Sequence, residues 1–215
     1  VPDSASLDVT YITVCAWANP GVNASSFNLA ARQTGPSIAA NEWRLGLGGS
    51  GNTWRFRVTN SGGTGASAES ATNFSTGTWQ HVCGVFDGSN VLVYVNGTNT
   101  ATAALSGSLS SLAVNVNIAS QEQGTTNFFN GSIDDVRIYN RALTATEVSD
   151  LYTKTRQGAT RVTTVSRSGL VGYWNLDDAT GTAVRLPRNP CRGTSNSGGQ
   201  GESAGAYDDR VEQSR

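Results

Sequence analysis

The chain has 215 residues, of which 14% are charged, and its 16 acidic and 15 basic side chains leave a net charge of −1. That balance lacks the basic excess that would neutralise phosphates, which argues against a nucleic-acid partner. No apolar run approaches the length of a membrane span, which argues against membrane insertion. The first residue is Val1 and the chain holds no methionine, which reads as a processed or excised piece. Gly is abundant at 25 residues, and Ser, Thr and Asn are plentiful. This is the composition of many short strands joined by polar turns, where Gly supplies positive φ. Low charge suits a surface of neutral polar groups, as sugars require, and equally an ordinary extracellular β-protein.

In chain order, the first strand signal is residues 11–17, containing Cys15 and Trp17. Residues 43–47 and 54–58 follow, separated by the turn Gly48-Gly49-Ser50-Gly51-Asn52. Within 54–58, Arg55 and Arg57 lie on the face opposite Trp54 and Phe56 and read as a solvated stripe. Residues 79–86 and 91–95 flank Asp87-Gly88, and Asn96-Gly97 comes next. Such dipeptides match the twist of paired strands, so 79–95 is predicted to be a hairpin. Residues 114–120 and 133–139 complete the early set. Thr144 and Glu147 then have capping-box spacing, and residues 144–152 are predicted to be the single helix. This pattern predicts an all-β fold, a two-sheet antiparallel sandwich with one short helix.

After residue 152 the chain changes character. Residues 153–168 read as a polar linker, 169–186 as a terminal strand segment and 187–215 as a flexible tail without periodicity. In the strand segment Leu170, Trp174 and Leu176 share one alternation phase, so all three are expected to enter a core together, with 169–176 pairing against 133–139.

The stretch Asn130-Gly-Ser-Ile-Asp134-Asp-Val-Arg-Ile-Tyr139-Asn-Arg-Ala-Leu143 with its capped helix resembles the closing strand of laminin-G-like and concanavalin-A-like jelly rolls, and the resemblance extends over 1–152. It implies a concanavalin-A-like jelly-roll sandwich. In laminin-G-like domains a Gly-Leu-Val-Gly-Tyr-Trp segment is normally the first strand, whereas here it occupies 169–174, behind the closing strand. Three alternatives stay open: residues 169–186 complete their own sandwich, exchange with a neighbouring copy and so drive self-association, or begin a next repeat.

A second resemblance, partial, is to pentraxins. Thr13-Val-Cys15 and His81-Val-Cys83 match the two bridged strands of that family, although Val85 and Phe86 depart from its Ser/Thr-Trp continuation. The resemblance implies a Cys15–Cys83 disulfide, in an oxidising compartment. It also points to Asn41, Glu122 and Gln123 as ligand-binding positions, since pentraxins hold calcium with an Asp-Asn pair and a Gln-Glu-Gln-Asp run. Ala40 and Gly124 replace the two Asp residues, so a tight pentraxin-type calcium pair is not expected. Trp43, beside Asn41 and Glu42, is the aromatic singled out for stacking on a sugar. Concanavalin-A-like domains often hold one structural calcium, and the resemblance places it at Asp134, with Asp177 as partner. The sole histidine, His81, reads as a structural strand residue.

The glucanases of this fold carry Glu-x-Asp-x-x-Glu on one strand, and no such triplet occurs here. The expectation is therefore no enzyme. The chain is expected to be an extracellular or cell- or virion-surface binding module for glycans or a glycoprotein surface. The alternative is a structural or adhesive sandwich that acts in assembly of a larger surface protein, filament or virion.

Overall fold

The computed structural model describes residues 1–21, 28–35, 41–48, 52–120, 128–156 and 166–176. Eleven strands and one α-helix are described: β1 (Ile12–Pro20), β2 (Asn28–Gln33), β3 (Asn41–Leu47), β4 (Thr53–Thr59), β5 (Gly65–Asn73), β6 (Gln80–Phe86), β7 (Asn90–Val95), β8 (Thr98–Ala104), β9 (Val116–Ile118), β10 (Gly131–Tyr139), α1 (Ala145–Thr155) and β11 (Leu170–Trp174). They form a six-stranded sheet in the order β11-β10-β1-β6-β7-β8 and a five-stranded sheet in the order β5-β4-β3-β2-β9. Every strand pair is antiparallel. No described helix is long and apolar enough to cross a membrane.

The core lies between the sheets and follows from alternation. Trp43, Leu45, Trp54, Phe56 and Val58 come from one sheet, and Val14, Val82, Phe86, Val93, Val136 and Ile138 from the other. Gly84 lets the sheets approach at one point, because a Cβ there would meet the Phe56 ring at 2.1 Å. One end is closed by the N-terminal segment. Leu7 enters the core, and the Val1 amino group donates to Val116 O at 2.7 Å. Arg32, fully buried, bonds Glu42 at 3.0 Å and Asp8 at 2.9 Å, and also reaches Asp3.

A second cluster sits on the outer face of the six-stranded sheet. Cys15 and Cys83 are directly opposite across β1 and β6, with Cα atoms 4.1 Å apart and sulfurs joined at 2.07 Å. Tyr94, Tyr139, Leu143, Val148 and Leu151 pack around the disulfide, so the helix covers it. The helix starts where the capping box predicts. Glu147 N donates to Thr144 Oγ1 at 3.2 Å and Thr144 N to Glu147 Oε2 at 2.9 Å. Arg141 clamps the same carboxylate at 2.6 and 2.9 Å and, with the cap, pulls its pKa down to about 2. The helix runs to Thr155, past the boundary drawn at residue 152.

β11 pairs with β10 of its own chain, with Val136 opposite Trp174 and Ile138 opposite Gly172. The expected shared face is corrected. Trp174 enters the core, but a register shift between Ile138 and Tyr139 turns Leu170 to the outer cluster beside Tyr139. Leu176, at φ 47° beyond the strand, is 40% exposed. Residues 177–186 and the predicted tail lie outside the described residues.

Candidate functional site

The outward face of the five-stranded sheet is polar and cationic. Because Trp43, Leu45, Trp54 and Phe56 point inward, Arg44, Arg55 and Arg57 fall on the opposite face. Strand register sets a row across it: Asn117 is opposite Ala31, Ala31 opposite Arg44, Arg44 opposite Arg57, and Arg57 opposite Ser67. Arg55 lies in the adjoining row opposite Glu69. The solvated stripe expected of Arg55 and Arg57 is corrected, since both are half-buried, and Arg44 beside them is 5% exposed.

Polar atoms on this face are left without partners. Arg57 Nε donates to Ser67 Oγ at 2.9 Å, and Thr53 Oγ1 to Glu69 Oε1 at 2.5 Å. Yet the buried Nε of Arg55 has no hydrogen-bond partner, nor has Nδ2 of Asn117. Gln33 is fully buried with neither amide atom bonded. Burial, and then the adjacent Arg57, push the Arg55 guanidinium below its ordinary pKa. Directly opposed like charges are unfavourable in a strand pair, so the Arg44–Arg57 placement is a local cost within the described residues.

A second concavity, of about 250 Å³, lies on the other sheet beside the end of the helix. Trp17 and Tyr152 form its floor with ring centroids 5.8 Å apart, and Trp79 stands at its rim, 36% exposed. Asp134, Asn96 and Arg156 supply polar groups.

The residues singled out from sequence are scattered. Asn41 opens β3 opposite Gln33. Trp43 is corrected: it is 1% exposed between the sheets, so its ring faces core side chains and cannot stack on a sugar. Its neighbour Glu42 is a buried strand residue whose carboxyl is pushed up to about 7 by burial, against the pull of Leu112 N–H and Arg32. Glu122, Gln123 and Asp177 lie outside the described residues.

Asp134 accepts the Asp135 N–H at 2.6 Å and lines the helix-side concavity. The neighbouring Asp135 carboxylate already holds Arg137 at 3.1 Å and the Tyr173 hydroxyl at 2.5 Å. Calcium takes six to eight oxygens. One carboxylate, the Asn96 amide and the Thr155 hydroxyl, set among two indoles, one phenol and Arg156, do not compose that shell from the described residues. Cys15, His81 and Cys83 also cluster, but the two sulfurs are bonded to each other and offer no thiolate.

Sequence reasoning missed Gln33, Arg44 and Asn117 on the sheet face and Tyr152 beside the helix. Arg44 was legible in principle, since it alternates with Trp43 and Leu45. Gln33 and Asn117 carry no such signal.

A family model described as the concanavalin A-like lectin/glucanases superfamily matches residues 1–149. No curated protein matches by sequence. Among solved structures, the chain is similar to domain 4 of a GH43 extracellular arabinanase from Geobacillus stearothermophilus, in complex with arabinotriose. There the identity is 20%, the match covers 71% of this chain and 70% of that one, and the TM-score is 0.55. It is similar to the CBM40 of a Ruminococcus gnavus IT-sialidase bound to α2,3 sialyllactose, at 15% identity, 67% and 83% coverage and TM-score 0.56. It is also similar to a heptameric SAP-like pentraxin from Limulus polyphemus, at 20% identity, 69% and 72% coverage and TM-score 0.52. At these identities the likeness is one of fold.

Proposed function

The chain belongs to the concanavalin A-like lectin/glucanases superfamily, and from that premise we propose that it is a non-catalytic, extracellular or surface-borne module that binds glycans, with acidic glycans as its preferred class. The observation that carries the reading is the outward face of the five-stranded sheet. Arg44 and Arg57 are opposed there, and Arg55 adjoins them with an unpartnered Nε. A carboxylate or sulfate on a sugar relieves the opposed charges and accepts hydrogen bonds from the half-buried Arg55 and Arg57 guanidiniums. Two structural neighbours, one in complex with arabinotriose and one bound to α2,3 sialyllactose, support glycans as the ligand class.

Support for a non-catalytic role comes from the placed carboxylates. Glu42 is locked to Arg32, Glu69 holds Thr53, and Glu147 is fixed in the helix cap. The alternative, an assembly or adhesive sandwich, draws less support, because β11 lies on β10 of its own chain.

The test is a glycan array probed with the oxidised protein, followed by titration of the best ligands. Sialylated, uronic or sulfated glycans should exceed neutral ones, and binding should weaken with added salt. Arg55→Ala or Arg57→Ala should each weaken it about tenfold, the scale of one lost charged hydrogen bond. Binding confined to neutral glycans, or unchanged in both variants, overturns the reading. A structural calcium at Asp134 is retained as a proposal that requires Asp177. Calcium should raise the thermal midpoint of the wild type and of neither Asp134→Ala nor Asp177→Ala.

A further inference from the structure

We propose that the concavity between the end of α1 and the outer face of the six-stranded sheet is a second ligand site, one that takes a single neutral sugar residue. It lies on the sheet opposite the arginine face and shares no residue with it.

Three aromatic rings are present, and they differ in how far they are used by the fold. Trp17 is half-buried and locked. Its indole N–H donates to Thr155 Oγ1 at 2.8 Å, and its ring centroid is 5.3 Å from His81 and 5.8 Å from Tyr152. Trp79 is different. It is 36% exposed, whereas the core tryptophans Trp43 and Trp54 are each 1% exposed. A large apolar ring left at the rim of a cavity is costly in water unless something covers it.

Two of the polar groups, Asn96 and Asp134, are held in fixed directions. Asn96 Oδ1 accepts the His81 N–H at 2.9 Å, so the amide nitrogen is the group left to donate. The Asp134 carboxylate is oriented by the Asp135 N–H at 2.6 Å. Arg156 follows directly on the last turn of the helix, four residues after Tyr152.

Charge and size select the ligand. One carboxylate and one guanidinium line the cavity, so it favours neither an anion nor a cation. The volume of about 250 Å³ falls below the usual range for drug-sized ligands and suits one pyranose ring. Aliphatic lipid would strip water from the polar groups of Asp134, Asn96 and Arg156 and offer no hydrogen bond in return, at a cost. A sugar ring presents an apolar C–H face to Trp79 and hydroxyls to the three polar groups. It is the chemical class that meets all of them at once.

The experiment uses the full chain with lactose, maltotriose and N,N′-diacetylchitobiose as probes. Binding is read by tryptophan fluorescence and saturation-transfer NMR, in calcium and in chelator. At least one probe should bind weakly in both media. Trp79→Ala should weaken it at least about tenfold, and Trp79→Phe should keep most of the affinity. Arg55→Ala should leave it unchanged while weakening the acidic ligands of the other face, so the two readings fail separately. Trp79 is 36% exposed, so Trp79→Ala should lower the melting temperature but leave the protein folded, and Trp79→Phe should stay closer to the wild type. No saturation transfer from any probe, binding unchanged in Trp79→Ala, binding lost in Arg55→Ala, or binding that requires calcium would each overturn the proposal.

Discussion

His81 shows how one buried side chain sets a pH limit. It is the sole histidine, 2% exposed, with its ring beside the disulfide and packed against both Trp17 and Tyr152. Burial, and then the Arg137 guanidinium, push its pKa down from 6.5 to about 3. Between those values the unfolded chain holds a proton that the folded chain does not. Stability from this residue is therefore fully present above 6.5 and is lost as pH falls towards 3. Glu42 has the opposite sign, since its pKa is raised from 4.5 to about 7 and its contribution is lost as pH rises through that value. Urea unfolding at a series of pH values should show a steep acid limb in the wild type and a shallower one in His81→Leu. Identical acid limbs would reject this account. At the same scale the sequence is a poor guide to the proposed ligand contacts. Trp43 lies beside a loop in the sequence, but its alternation phase with Leu45 puts it in the core. Trp79 reads as a strand residue, although it sits one residue before β6 and is 36% exposed.

Strands, turns and the helix were legible wherever local chemistry decides the backbone. Asn96 and Gly97 both take positive φ, 49° and 79°, which is the demand of the tight turn that an Asn-Gly pair announces. The Thr144–Glu147 box fixed the start of α1 for the same reason. β2, β5 and β8 were not legible. β2, NLAARQ, is buried at every position although Asn28, Arg32 and Gln33 are polar, so its sequence shows no apolar–polar alternation. β5 is built of small residues such as Ala68 and Ser70, and β8, TNTATAA, is a mostly exposed edge strand of Thr and Ala with little apolar signal. The disulfide was legible through family resemblance alone. Its cysteines are 68 residues apart, and adjacency of β1 and β6 is a property of the whole sheet order.

Closure of the sandwich is decided by the whole molecule, through a strand that arrives after the helix. β11 places Trp174, 7% exposed, over the core opposite Val136, and the indole lies along its own strand across Gly172. A Cβ at Gly172 would meet that ring at 2.5 Å, so the glycine makes the space the tryptophan fills. On the outer side the Tyr173 hydroxyl donates to Asp135 at 2.5 Å, and the Arg137 guanidinium sits 4.7 Å from the Tyr173 ring centre. Without this strand, β10 becomes an edge with unpaired N–H and C=O groups above an exposed core, the arrangement that invites pairing with another chain. Packing and edge protection can be separated. Trp174→Ala leaves the strand in place and should cost about 3–5 kcal/mol, the scale of a buried tryptophan lost from a core, while the protein stays monomeric. Truncation after Arg167 removes both effects, so it should lower the melting temperature further and shift sedimentation to dimers or larger species. A truncated chain that stays monomeric with an unchanged melting temperature would show that β11 is dispensable to the fold. Association of Trp174→Ala to the same extent as the truncated chain would show that core exposure, rather than the open edge, drives self-association.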